Sequence, residues 1–120
     1  MDKLQAYHQF WSSFGIPAYD ALSVPTGAQL PYITYETASD DFGETIFLSA
    51  SLWYRGTSWA DITQKEKLIS DFIGRGGVQV SYDTGSFWIR KRNTWAQRMS
   101  DPDDDMIRRI VLQYTIEFFD

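Results

Sequence analysis

The chain has 120 residues, of which 43% are hydrophobic and 22% are charged, and this size and balance predict one globular domain over residues 1–120. Its net charge of -5 at pH 7 argues against a general nucleic-acid-binding protein, because neutralising phosphates requires a basic surface. It contains no cysteine, which excludes disulfides, thiolate metal sites and cysteine nucleophiles and suits synthesis in a reducing cytoplasm.

The first quarter of the chain is predicted to form a helix followed by a long loop. Asp2 is placed to cap a helix over residues 3–14, in which apolar side chains recur at helical spacing, and the Gly-Ile-Pro sequence after it is a stop signal. The same N-terminal stretch has no unbroken apolar run of signal-peptide length, so we expect folding in the cytosol. Residues 18–29 contain proline, glycine and few large apolar side chains and are predicted to be an ordered loop.

Two strands are predicted next. Residues 30–37 are rich in Tyr, Ile and Thr, which favour strands. Residues 45–55 alternate between apolar side chains on one face and mixed side chains on the other, as in a half-buried strand. The turn-forming residues 39–43 between them predict an antiparallel hairpin with a protruding loop.

A second helix is predicted from Ser58 to about Ile73. Ser58 and Asp61 resemble a capping box, with Asp in place of the usual Glu or Gln. The glycines at 74, 76 and 77 end the helix. One face carries an apolar stripe that we expect to pack on the sheet, consisting of Trp59, Ile62, Leu68, Ile69, Phe72 and Ile73.

The last part of the chain is predicted to form three strands. Residues 78–82 and 86–90 are short β-type runs joined by a turn containing Gly85, and residues 106–119 alternate over a long final strand. The predicted fold class is therefore α+β, a mainly antiparallel sheet of about five strands with two helices packed on one face. The other sheet face is half polar and available to partners.

The segment from Arg90 to Asp105 separates charges into a basic and then an acidic block. We interpret it as a loop joining two strands, too long for a tight turn and therefore functional or disordered. Its basic residues, interleaved with tryptophans, fit single-stranded nucleic acid, a head-to-tail contact between ring subunits or a solvated loop without a partner. The candidate subunit-interface residues are Arg90, Arg92, Arg98, Asp103 and Asp104.

Three features with possible chemistry favour non-catalytic interpretations. His8 is the only histidine and is predicted to lie on a helix surface, and no nucleophile-elbow pattern accompanies it. The acidic residues 101–105 lack the glycine and closing glutamate of a calcium loop. The glycines at 74–77 follow a helix, whereas phosphate-binding glycines precede one. We expect a protein without catalytic residues, metal or cofactor.

The aromatic content is high for a small domain, with 5 Trp, 7 Tyr and 8 Phe. Such side chains dominate both cores and interfaces. The excess fits either a protein partner or a core that favours aromatics.

Several phrases of the sequence resemble small tail-region proteins of long-tailed bacteriophages, particularly those that infect Gram-positive bacteria. They are Phe14-Gly15-Ile16-Pro17-Ala18-Tyr19, Leu30-Pro31-Tyr32-Ile33-Thr34-Tyr35, Ser51-Leu52-Trp53-Tyr54-Arg55, Ile73-Gly74-Arg75-Gly76-Gly77 and Gln97-Arg98-Met99. The resemblance covers nearly the whole chain, and the predicted order of helices and strands resembles that of the tail terminator family.

This resemblance implies a structural virion protein rather than an enzyme. Members of the family form hexameric rings that cap the tail tube and offer a joining surface to the head connector, with DNA passing through the channel without specific binding. The implied partners are further copies of the chain, the tail tube protein and the neck protein, with no membrane. The implied location is the head-proximal end of the virion tail, and the host cytoplasm during assembly. A neck or head-completion protein and a small nucleic-acid-binding module are the alternatives.

Overall fold

A computed structural model describes residues 1–38 and 44–120, and the predicted turn at residues 39–43 lies outside the described residues. The elements in chain order are α1 (Lys3–Ser12), β1 (Ala18–Asp20), β2 (Tyr32–Tyr35), β3 (Ile46–Arg55), α2 (Ala60–Ile73), β4 (Val78–Tyr82), β5 (Gly85–Ser100) and β6 (Ile107–Phe119). The α+β class and the two helices agree with the sequence-based prediction.

The described strands form a single sheet in the order β1-β2-β3-β6-β5-β4. It has six strands rather than about five, and it is mixed, because β1 pairs parallel to β2 while the other neighbours are antiparallel. β1 lies in the segment predicted to be a loop. A strand of three residues carries too little alternation to be read locally, and its hydrogen bonds come from a partner distant in sequence.

The largest correction concerns the charged segment that was predicted to be a loop. β5 continues through it to Ser100, pairing with β6 from Ser86↔Phe119 to Ser100↔Arg108 with an irregularity between Lys91 and Ala96. Much of the segment is exposed, so its sequence shows no apolar alternation. It is a strand because it pairs with β6, whose own side chains alternate regularly. Only residues 101–106 remain between β5 and β6.

Each helix begins where local residues favour a helix terminus. Asp2 Oδ1 accepts a hydrogen bond from the Gln5 amide at 2.8 Å, and Gln5 Oε1 accepts one from the Asp2 amide at 3.0 Å, which completes a capping box. The N-cap of α2 is Trp59, which makes no side-chain cap bond. The predicted capping box with Asp61 is therefore wrong, although Ser58 Oγ accepts from the Ala60 amide at 3.0 Å.

The buried stripe of α2 is narrower than predicted. Ile62, Ile69 and Ile73 are buried, whereas Leu68 is 50% exposed and Phe72 is 55% exposed. The helix rests on the sheet along a narrow line, so residues beside that line remain partly in solvent. The expectation that Phe72 is a buried core residue is wrong.

Both helices pack on one face of the sheet, which we call the helix face. Alternate residues of β6 are buried on it: Ile110, Leu112, Tyr114, Ile116 and Phe118. The intervening residues of β6 point to the opposite face, which we call the open face, and are only half-buried. Neither helix in the described ranges has the length and apolar character needed to cross a bilayer.

Candidate interaction surface

Three arginines on the open face each stack on an aromatic ring of the same face. The guanidinium carbon lies 4.0 Å from the ring centroid for Arg90 on Trp88, 4.8 Å for Arg92 on Phe47 and 4.5 Å for Arg109 on Trp53. Arginine and large aromatic side chains are the types enriched at the energetic centres of protein interfaces. The stacking combines a flat apolar surface with a fixed positive charge.

Hydrogen bonds hold two of these pairs in place. Arg90 lies 3.3 Å from the Glu117 carboxylate, which also accepts from the Thr45 hydroxyl at 2.8 Å. Arg109 Nε donates to Ser51 Oγ at 3.2 Å. Side chains fixed before association lose less conformational entropy when a partner covers them.

The third pair is the most accessible to solvent. Phe47 is 63% exposed, Arg92 is exposed, and Arg92 makes one long hydrogen bond, 3.4 Å to the Gln113 side chain. An exposed phenyl ring under an arginine leaves both apolar area and charge for a partner to bury. Phe47 and Arg92 are therefore the most accessible of the three pairs.

The sequence-predicted site residues divide between the two faces. Arg90 and Arg92 lie on the open face, whereas Arg98 stacks on the Trp59 ring at 4.8 Å and donates to Thr63 Oγ1 at 3.5 Å. Trp59 and Thr63 lie at the start of α2, on the helix face. The irregularity between Lys91 and Ala96 changes which residues of β5 face the helices.

The acidic residues after β5 form a turn rather than an open loop. Asp101 Oδ1 accepts from the amides of Asp103 at 2.8 Å and Asp104 at 3.3 Å. Asp104 accepts from the Met106 amide at 2.9 Å and lies 3.1 Å from Arg55. The Met106 hydrogen bond, with a smaller contribution from Arg55, lowers the pKa of Asp104. Among the predicted acidic candidates, Asp104 thus has partners within the chain, while Asp103 is exposed.

Strand alternation placed Arg109 and Trp53 on the side away from the core, but neither was among the predicted site residues. Their contact depends on the pairing of β3 with β6, in which Trp53 lies opposite Arg109. The alternation of each strand in the sequence indicated that both side chains point away from the core. The strand register that brings the two side chains into contact could not be read from the sequence.

A groove of about 550 Å³ continues the open face at one end. Its lining includes Tyr32, Trp53, Arg55 and Asp101. Because it combines aromatic and charged side chains and is open to solvent, it extends the surface available to a partner.

His8 is exposed on α1, as predicted. Its Nδ1 lies 2.7 Å from the Tyr35 hydroxyl and its Nε2 lies 3.1 Å from Ser12 Oγ. The Ser12 hydroxyl donates to the His8 carbonyl at 2.8 Å. With the Ser12 proton in that bond, Nε2 donates and Nδ1 accepts from Tyr35. This arrangement orders the helix surface and does not activate the serine as a nucleophile.

Two further properties bear on chemistry. Residues 1–38 and 44–120 contain no group of three or more His, Cys, Asp or Glu side chains arranged to hold a metal ion. A small cavity of about 180 Å³ lies beside α1, with Leu4, Tyr7, Leu48 and Phe118 among its lining residues. It is smaller than the roughly 300 to 1,000 Å³ usual for a small-molecule site.

Comparison with known proteins identifies no relative: no family model, curated protein or solved structure matches the chain.

Proposed function

We propose that the protein is a structural assembly subunit that forms a ring, and specifically a tail terminator that caps the tail tube of a long-tailed bacteriophage. The observation that carries the assembly role is the open face, where stacked Arg–aromatic pairs cross a sheet surface that neither described helix covers. The resemblance of the sequence phrases to phage tail-region proteins adds the specific role.

The open face has the physical character of a protein interface. It combines aromatic rings, two half-buried and one exposed, with cations and hydroxyl groups. A surface of this kind stays soluble in the free subunit and still supplies apolar area when a partner covers it. Its fixed side chains make docking specific, since a misaligned partner would leave charged groups buried without partners.

In the proposed mechanism, subunits assemble on the last ring of the tail tube. The completed ring stops tube polymerisation and offers a new surface to the neck protein, while DNA passes through the axial channel without specific binding. The ring has head-to-tail contacts, because a closed cyclic assembly joins two different patches of each subunit.

For the contact between neighbouring subunits, we propose that Arg92 of one copy faces Asp103 of the next, with Arg90 beside it held by Glu117. Arg98, on the other face, and Asp104, already paired with Arg55, are secondary members. One exposed ion pair contributes only about 0 to 1 kcal/mol. Repetition of the ion pair around a ring, and its partial burial against Phe47, would make the summed contribution of these contacts large enough to stabilise the ring.

We expect the isolated protein to be monomeric or weakly associated and to close into a ring on the tube. A subunit that formed rings readily in solution would not need the tube as template. Light scattering after size-exclusion chromatography, with and without tail tubes, followed by electron microscopy, measures this. A tight hexamer at nanomolar concentration would contradict the template requirement but not the ring.

The decisive experiment tests Arg92→Glu during phage assembly by counting tails of normal length joined to heads. We expect this variant to reduce joining, and the addition of Asp103→Lys to restore it in part. Lys67→Glu is the matched control, because Lys67 is an exposed cation on α2 whose side chain is 73% accessible. Normal joining by folded Arg92→Glu would remove the residue from the interface.

A second measurement separates assembly from nucleic-acid binding. Single-stranded DNA that bound strongly at physiological salt, and lost binding on Arg92→Glu, would favour a nucleic-acid-binding module. Weak binding equal to that of Lys67→Glu is expected of an assembly subunit.

A further inference from the structure

The outer edge of β5 is only partly covered. β4 pairs with β5 from Val78↔Ile89 to Tyr82↔Gly85, yet β5 continues to Ser100. In the parts of the chain that the structure describes, no strand pairs with residues 90–100 on the side away from β6. Backbone N–H and C=O groups along this stretch are therefore open to a further strand.

The last part of this edge has regular strand pairing. Ala96 to Ser100 pair with β6 in unbroken register, from Leu112 to Arg108. A strand held on one side by a ladder presents alternate peptide groups on the other side in the same repeat. The edge from Ala96 to Ser100 is thus a preformed template.

The edge is strongly basic. Residues 90–100 include Arg90, Lys91, Arg92 and Arg98 and no acidic residue, in a chain whose net charge is -5. Arg98 is positioned by the Trp59 ring, and Lys91 Nζ donates to Ser70 Oγ at 2.8 Å. Contacts with α2 therefore hold two of the cations on the helix face next to the edge.

Basic side chains on an edge strand oppose pairing with a neutral or basic strand. The same charges favour a strand that carries carboxylates opposite them. A second copy offers no extended acidic strand from residues 101–105, because Asp101 and Asp104 fold those residues into a turn by accepting backbone N–H groups.

We propose that the edge formed by residues 96–100 binds an extended acidic segment of another protein by β-strand addition. The segment lies beside residues 96–100 of β5, with its carboxylates near Arg98 on the helix face. Backbone hydrogen bonds supply the sequence-independent part of the affinity, and the cations select acidic partners. This inference does not depend on the proposed ring.

The test uses the full chain and a short capped peptide in which Glu or Asp alternates with Val. Binding is followed by fluorescence anisotropy at low and at physiological salt, where an ion-paired contact weakens as salt rises. We expect Arg98→Glu to weaken binding by about tenfold or more, while Lys67→Glu leaves it unchanged.

Two modified peptides distinguish strand addition from simple charge attraction. Each carries backbone N-methyl groups at alternate positions, one set on the odd residues and the other on the even residues, so that charge and side chains stay the same. Strand addition predicts that one set abolishes binding and the other does not, because only alternate N–H groups face β5. Among residues 96–100, hydrogen exchange should slow at the amides that point away from β6 when the unmodified peptide binds.

Three outcomes would overturn the proposal. Equal binding of the two N-methylated peptides would show attraction without a ladder, and failure of the unmodified peptide to bind would leave the edge without this partner. Concentration-dependent dimerisation lost on Arg98→Glu would assign the edge to a second copy. None of these outcomes tests tail joining, so the ring proposal would stand or fall separately.

Discussion

Arg92 and Arg98 are an even number of positions apart in one strand, yet their guanidinium groups lie on opposite faces of the sheet. Arg92 rests on Phe47 of the open face and Arg98 rests on Trp59 beside α2. In an uninterrupted strand they would share a face. The irregularity between Lys91 and Ala96 separates them, so one basic block serves two surfaces.

This irregularity contains Thr94, the only non-glycine residue with positive φ, 58°, in the described ranges. The left-handed conformation costs an L-residue about 1 to 2 kcal/mol, and glycine avoids that cost but loses about 0.5 to 1 kcal/mol in backbone entropy. We therefore expect Thr94→Gly to stabilise the protein by about 0.5 kcal/mol in urea unfolding.

Asn93→Gly is the control for Thr94→Gly. It adjoins the same irregularity without a positive φ, so it should lower stability by the entropy cost alone. A loss in both variants would show that Thr94 is not strained.

The hydroxyl groups of Tyr7 and Tyr114 form a buried hydrogen bond between α1 and β6. The Tyr7 hydroxyl also donates to the Glu36 carbonyl at 2.6 Å, so Tyr114 donates to Tyr7. A tyrosine hydroxyl is protonated at neutral pH, and burial raises the pKa of Tyr114 further above its usual value, so Tyr114 can act as that donor. Tyr7→Phe therefore leaves two groups without this hydrogen-bond partner, the Tyr114 hydroxyl and the Glu36 carbonyl. Tyr114→Phe leaves only the Tyr7 hydroxyl oxygen without its donor.

We expect Tyr7→Phe to cost about 1 to 3 kcal/mol and Tyr114→Phe about 0.5 to 1.5 kcal/mol. Denaturant unfolding of both variants measures the difference. A larger loss for Tyr114→Phe would contradict the assigned direction of the bond.

Truncating a buried apolar side chain of α2 should lower stability more than truncating a partly exposed one. Ile69 is fully buried and Phe72 is 55% exposed, although the Phe72 ring still contacts Phe14 with centroids 5.6 Å apart. Ile69→Ala should cost about 2 to 5 kcal/mol. Phe72→Ala should cost about 1 kcal/mol, because solvent already reaches half of the ring. Thermal unfolding compares the two, and equal losses would argue that Phe72 is covered in solution.

Glu66 should weaken the fold at neutral pH. Burial raises the pKa of its carboxyl group, while the nearby charge of Lys91 partly offsets the increase. A raised folded-state pKa means that ionisation opposes folding. That cost is complete above the folded pKa and disappears as pH falls below the unfolded value of about 4.3.

Glu66→Gln should therefore raise the melting temperature at pH 7. The gain in the free energy of unfolding should be less than about 1 kcal/mol, because the carboxyl group is partly solvated. The gain should vanish near the unfolded pKa. Glu44→Gln, at an exposed position, is the control. A gain that persisted in acid would point to a packing effect and not to the charge.

Features that depend on neighbouring residues were predictable from the chain. The Asp2 cap lies within one helical turn of its acceptor and donor, and the alternation in β3 and β6 records which side of each strand meets the core. The exposed His8 and the predominantly antiparallel sheet followed from the same local patterns. So did the outward placement of Trp53 and Arg109.

Features that depend on partners distant in sequence were decided by the tertiary structure. β1 exists because residues 18–20 find β2, and the basic segment is a strand because β6 supplies its ladder. Neither segment has a pattern of its own strong enough to show this, since hydrogen bonding in a sheet is satisfied between segments and not within one. The separation of Arg92 from Arg98 likewise follows from strand register, because an irregularity in one strand is defined only against the strand that pairs with it.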